Sequence, residues 1–269
     1  MNEALVVPAV PSATVVVARQ GASGPELLMV RRRAGDAFGD SYAFPGGVLD
    51  HDESASHAFC EGSSEAATNE RLRVDDGGLD YYVAAIRELF EETGILLARD
   101  TDGNWVSDYD DDRTMQEQRE RVDRGEMRWS QFLKQRGLVM ACDALHYFAH
   151  WETPVKRPKR WSARFFLAEL PPGQDATHDG TELTDCRWLS AAQVLANARE
   201  GNMELPYPTT RTLEWLAAHD SVASLKAWAD SRVSDGIDKV RPMWITTDGK
   251  PRWVIPGDTD YPDGGDGCP

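Results

Sequence analysis

Lysine is scarce in this chain: 6 of the 269 residues, against 23 arginines. Acid exceeds base, with 45 Asp and Glu to 29 Lys and Arg, for a formal charge of −16. That balance excludes a general nucleic-acid binder, which needs a net basic surface. Cysteine is sparse as well. Cys60, Cys142, Cys186 and Cys268 lie far apart with no CxxC pair. Such spacing supports neither a zinc site nor a disulfide framework and points to a reducing, cytoplasmic setting. No window carries the roughly 18 uninterrupted apolar residues of a membrane span. The opening MNEALVVPAVPSATVVVA has no basic lead and reads as the approach to a strand, not a secretory signal. An apolar share of 41% is too high for a wholly disordered chain and suffices for a buried core.

What is present is a mixture of strand and helix patterns without a repeat. ATVVVA at 13–18 and ELLMVR at 26–31 read as buried strands joined by turn residues, a hairpin. SYAFPGGVLD is a short strand running into a Pro-Gly-Gly turn. Residues 80–98 read as helical, with Tyr82, Ala85, Ile86, Leu89 and Phe90 on one apolar face. Asp80 is placed to cap this helix and Gly94 to end it in a left-handed conformation. The charged stretch 113–136 reads as one or two helices broken near Gly125. Strands are expected at 145–152 and 163–170, then TDCRWLS, then short helices at 191–199 and 209–219. Two weak strands follow beyond 235. Without a regular βαβ alternation, these elements predict a mixed sheet with helices packed on its faces.

The chemistry concentrates in Arg87-Glu88-Leu89-Phe90-Glu91-Glu92-Thr93-Gly94-Ile95. On a helix, Glu88, Glu91 and Glu92 fall at i, i+3 and i+4, three carboxylates within one turn. Like charges this close cost stability unless a cation removes the repulsion, and hard divalent ions prefer oxygen ligands. Arg87, four residues before Glu91, is placed to pair with it. The plainer reading is a solvated acidic face. Leu89 and Phe90 within the run, and Phe44-Pro45-Gly46-Gly47 upstream, argue for a packed site that a ligand approaches closely.

Together these residues resemble the box of the Nudix hydrolases, in which a Gly, five residues and a Glu precede Arg-Glu-apolar-x-Glu-Glu-x-Gly-apolar. Gly47 and Glu53 have the required spacing, and RELFEETGI matches the second half throughout. The spacer from Glu53 to Arg87 holds 33 residues where the family usually has seven. FPGG, an insertion inside the box, and the later pieces HYFAHWETP, RFFLAELPPGQ, RWLSAAQVL and PYPTTRTLEWLA are similar to the branch that includes the peroxisomal coenzyme A diphosphatase and its bacterial relatives. One departure is Asp40, which stands where relatives carry a glycine. Another is the Gly-Cys-Pro ending, which is not a Ser-Lys-Leu type address.

The resemblance implies an α+β fold, a Nudix-type α/β/α sandwich with a mixed sheet and helical insertions. It implies a Nudix domain over 1–220, with insertions at about 54–80 and 113–136 and an extension over 221–269. It implies a diphosphatase using Mg2+ or Mn2+, with Glu88, Glu91, Glu92 and Arg87 catalytic. The metal set expected is the Gly46 carbonyl, Glu88, Glu91 and Glu92, joined by Glu182 as an extra loop carboxylate. Which glutamate acts as base stays open. Substrate capture is assigned to Arg31, Arg32 and Arg33 and to Arg157 and Arg160, since arginine suits bidentate phosphate contacts; solubilising charge is the plainer reading of both clusters. The expected partner is a small nucleoside diphosphate derivative of the coenzyme A type, with no nucleic acid and no membrane. Cleavage would give 3′,5′-ADP and an (acyl-)phosphopantetheine. ADP-ribose, NADH or another nucleoside diphosphate derivative is the alternative substrate, and a non-catalytic binding module or an isomerase the alternative role. The insertions are expected to shape a substrate pocket or a homodimer contact. His146 and His150 are read as structural, and Trp151, Trp161 and Phe165 either stack an adenine or belong to the core.

Overall fold

A computed structural model describes residues 7–35, 39–107, 113–247 and 249–262. Cys268 and the last part of the acidic 100–112 stretch lie outside them. The chain opens with β1 (Val10–Gly21) and β2 (Gly24–Arg32), paired antiparallel down to Gly21 and Gly24. The hairpin expected from QGASGP is therefore a tight one. Then come β3 (Tyr42–Ala43), β4 (Gly46–Val48) and a 3-10 helix over Glu53–Phe59. Next are β5 (Cys60–Glu61), α1 (Glu65–Leu72), α2 (Gly78–Thr93) and β6 (Ala98–Arg99). The charged stretch gives two helices, α3 (Arg113–Asp123) and α4 (Trp129–Arg136), and Gly125 stands between them at φ 67°. After β7 (Val139–Ala141), β8 (His146–Glu152), β9 (Trp161–Glu169) and β10 (Leu183–Leu189) come α5 (Ala191–Arg199) and α6 (Tyr207–Leu216). The described chain closes with α7 (Val222–Asp235), β11 (Lys239–Val240), β12 (Met243–Thr247) and β13 (Lys250–Val254).

The main sheet runs β10-β2-β1-β9-β8-β11, with β3 beside β2 and β4 beside β1. β1 is parallel to β9 and antiparallel to β2 and β4. The unbroken apolar run of β1 reflects burial on both faces. Ala13, Val15 and Val17 point to one core with α2, Phe132 and Leu133. Val16 and Ala18 point to another with Val194, Leu213, Leu225 and Ala229 of the C-terminal helices. Helices on both faces of a mixed sheet make the sandwich that the sequence predicts.

Two local readings are corrected. Asp80 does not cap α2, because that helix starts at Gly78 after Gly77 at φ 72°. Asp80 instead accepts from His57 Nε2 at 2.7 Å, tying α2 to the 3-10 helix. Gly94 does end α2, at φ 75°. The second correction is α7, which the sequence reading leaves unassigned. Its apolar stripe is thin, and its start is a Ser221–Ser224 capping box, not the Ser-x-x-Glu form that advertises a helix. Through α7 and β11, residues beyond 220 enter the second core and the main sheet. No helix of the described residues is long and apolar enough to cross a membrane.

Candidate active site

The Pro-Gly-Gly turn is pressed between β1 and α2, which explains both glycines. Gly46 has φ 146°, and a Cβ there would lie 2.2 Å from the Ala13 carbonyl oxygen. A Cβ on Gly47 would lie 2.3 Å from Glu88 Oε2. These obstacles differ: one is fixed backbone, the other the end of a side chain that can swing away. Gly46→Ala is therefore expected to lower the thermal midpoint sharply. Gly47→Ala should keep a near-parental midpoint yet lose at least ~10-fold in kcat by displacing Glu88. Equal midpoints for the two variants would refute this account of the turn.

Arg87 is the hub. Its side chain is buried, and its guanidinium donates to Glu53 Oε1 (2.8 Å from Nη2), Glu88 Oε1 (2.9 Å) and Glu91 Oε2 (2.8 Å). Nη2 also donates to the Val48 carbonyl at 3.1 Å. Glu53 is itself 3% exposed. The long insertion thus leaves the site after Glu53 and returns to it at Arg87. One guanidinium faces three carboxylates, so negative charge remains in a desolvated place. Burial raises the carboxyls of Glu53 and Glu88 above their ordinary range despite Arg87, and pushes Glu91 up to about 8.

Glu92 is gripped from the other side. Oε2 accepts from the Gly46 amide at 2.8 Å and Oε1 from Arg32 Nη2 at 3.2 Å. Arg32 also donates to the Gly46 carbonyl at 2.7 Å. Burial, opposed by Arg32 and reinforced by Glu88, pushes Glu92 up to about 8. Arg32, assigned to the substrate by sequence, is thus engaged with an acid of the site and with the carbonyl expected as a metal ligand. Glu182 is exposed on a loop fixed by Asp179, which accepts from the amides of Thr181, Glu182 and Leu183. Its charge adds to the rise of the Glu88 and Glu92 carboxyls.

The remaining arginines divide. Arg31 pairs with Asp40 at 3.2 Å, and Arg33 donates to the Gly180 carbonyl at the edge of the Glu182 loop. Arg157 is exposed, with its guanidinium 5.6 Å from the Trp253 ring. Arg160 is a correction: it is 6% exposed and spent on Glu152 (3.0 Å) and the Thr153 and Val7 carbonyls. Trp151 and Phe165 are buried, and Trp151 stacks on Trp215 at 5.4 Å, so neither is open to an adenine. His150 meets Ser162 at 2.8 Å, and burial depresses it to about 3. His146 meets Asp230 at 2.7 Å.

Among the described residues, no three His, Cys, Asp or Glu side chains are gathered as they stand in a form that could hold a metal ion. The reason is visible in the geometry, since Arg87 occupies the centre to which three acids turn. The donor chemistry nevertheless fits a hard divalent cation: all the candidate donors are oxygens, and the carboxyls of Glu88, Glu91 and Glu92, raised chiefly by burial, would gain from a cation in place of the water they have lost.

The family model described as the NUDT19 Nudix domain matches residues 63–216, taking in α2 and Glu182 but starting after Gly46, Gly47 and Glu53. The acyl-coenzyme A diphosphatase NUDT19 of Xenopus laevis is 26% identical over 193 residues, 67% of this chain and 50% of that protein. The Homo sapiens protein of the same name is 24% identical over 190 residues, with the same coverage. The chain spans about half the length of these curated relatives. A crystal structure of a Nudix hydrolase from Alicyclobacillus acidocaldarius superposes with a TM-score of 0.72 at 27% identity, covering 83% of this chain and 97% of that one.

Proposed function

The chain belongs to the NUDT19 Nudix domain family, and from that premise we propose that it hydrolyses the diphosphate linkage of coenzyme A or an acyl-coenzyme A. Water adds to one phosphorus, the bridging P–O bond breaks, and 3′,5′-ADP and (acyl-)phosphopantetheine leave. The observation that carries this reading is the cluster of Glu53, Glu88 and Glu91 around Arg87, with Glu92 beside it on the amide of the two-glycine turn. The relatives named as acyl-coenzyme A diphosphatases support the substrate class.

Glu88, Glu91 and Glu92 would hold Mg2+ or Mn2+, with Glu182 reaching in from its loop. Such an ion, when bound, neutralises the diphosphate and lowers the pKa of a bound water. Arg87 keeps Glu53 and the helix acids in register, and Arg32 holds Glu92 against the Gly46 amide. A carboxylate freed of its proton accepts one from the attacking water. Arg31, Arg33 and Arg157, unlike Arg160, have guanidinium surface to offer phosphates.

The raised carboxyls give a solution signature. Glu91 and Glu92 have folded-state values of about 8 against an ordinary 4.5. Their contribution to stability is complete below the ordinary range and is lost as pH rises through about 8. The cation-free protein should therefore lose thermal stability between about pH 4.5 and 8, and saturating Mg2+ should flatten the slope. Calorimetry in buffers of different ionisation enthalpy should show protons released on Mg2+ binding near neutrality. No proton release would remove these acids from the binding site.

The substrate is tested with coenzyme A, acetyl- and longer acyl-coenzyme A, ADP-ribose, NADH and diadenosine polyphosphates, each with Mg2+ or Mn2+. Coenzyme A or its thioesters are expected to have the highest kcat/KM. Preferred turnover of ADP-ribose or NADH would overturn the substrate assignment, and silence on all of them would point to a binding module.

A further inference from the structure

Two cysteines remote in sequence are neighbours in the fold. β5 and β7 pair in parallel, with Cys60 opposite Met140 and Glu61 opposite Ala141. Cys142 is the next residue and opens a 3-10 turn over Cys142–Ala144. The flanking residues are in tight contact. A Cβ on Gly62 would lie 2.5 Å from Asp143 Cβ, and Arg99 bridges Glu61 (3.2 Å) and Asp143 (2.8 Å). Cys142 is fully buried, and its thiol holds its proton well above the usual range, through the adjoining Cys60 thiol first and burial second. Cys60 is half-buried, with Sγ 3.9 Å from the Ser56 carbonyl in the 3-10 helix that begins at Glu53.

We propose that Cys60 and Cys142 form a reversible disulfide that fastens the insertion to the body of the fold, with a small-molecule disulfide such as oxidised glutathione as the oxidant. The assignment is independent of the hydrolase reading. The more exposed Cys60 loses its proton to solvent, attacks the small disulfide and displaces one thiolate, leaving a mixed disulfide. Cys142 then gives its proton to solvent and attacks Cys60 Sγ, expelling the second small thiolate. Two protein thiols are oxidised and one small disulfide is reduced to two thiols.

The test uses the full chain incubated with oxidised glutathione, then denatured, alkylated and weighed. The reduced protein, with its four cysteines, should carry four adducts. The oxidised protein should carry two, with a peptide linking Cys60 to Cys142 that dithiothreitol releases. The Cys186→Ser/Cys268→Ser double variant should keep that link. Cys60→Ser should leave Cys142 alkylated after oxidation, which makes the result independent of whether a Cys142 variant folds. Four adducts after oxidation, a lasting mixed disulfide on Cys60, or a link running to Cys186 or Cys268 would overturn the pairing.

Discussion

Glu91→Gln is expected to slow turnover by roughly 10²–10³-fold while leaving the protein folded at least as well as the parent. The two halves of this expectation have one cause. Desolvation already pushes the Glu91 carboxyl up to about 8, so the folded, cation-free protein favours the neutral form. An amide supplies a neutral group of the same shape and can still accept from Arg87 through its carbonyl. It cannot supply the negative oxygen that a divalent cation and an attacking water require. Steady-state kinetics and thermal melts above pH 8 would be read side by side. Parental turnover would remove Glu91 from the chemistry, and a collapse in the midpoint would mean that its charge holds the fold together.

Arg87→Ala should do the opposite and strike stability first. It removes the shared partner of Glu53, Glu88 and Glu91 and leaves buried carboxylates unpaired. Losing one side of a buried ion pair costs about 3–5 kcal/mol, a large share of the ~5–15 kcal/mol that holds a typical domain together. The urea midpoint should fall accordingly, and Mg2+ should recover part of the loss by replacing the missing positive charge. Arg87→Lys should fall between the two, because an ammonium is a point charge without the planar fork that reaches all these oxygens. A midpoint indistinguishable from the parent would show that the acids find other partners and that Arg87 is not the hub.

Much of this arrangement was legible in the sequence for simple reasons. A run such as ATVVVA has few uses besides a strand buried on both faces, and RELFEETGI has its acids at helical spacing with a glycine placed to stop the helix. Asp40 is instructive. Its φ of 63° lies in the left-handed region that favours glycine and that Asp tolerates. What stayed hidden depended on contacts between distant segments. Glu53 carried a motif signal through its spacing from Gly47, but only the fold returns it to Arg87 across 33 residues. Arg32 sat in a triplet of identical residues, and nothing local says which of three arginines turns inward. Since side chains alternate along a strand, the inward one would have been identifiable only with β2 in register beside the Gly46 turn. Arg160 misled for the same reason: a basic loop reads as a surface, and its partner Glu152 lies across the hairpin.

The clasp between Glu53 and Arg87 also bears on how such a long spacer is sustained. Closing a flexible loop costs chain entropy that grows only with the logarithm of its length. Extending the spacer from seven residues to 33 adds roughly 1.4 kcal/mol by that scaling. A single buried bridge at the neck is worth more than that when broken. The segment between them can therefore be lengthened, shortened or rewritten while its two anchoring ends hold station, so the acidic cluster is insulated from changes in the stretch that interrupts it.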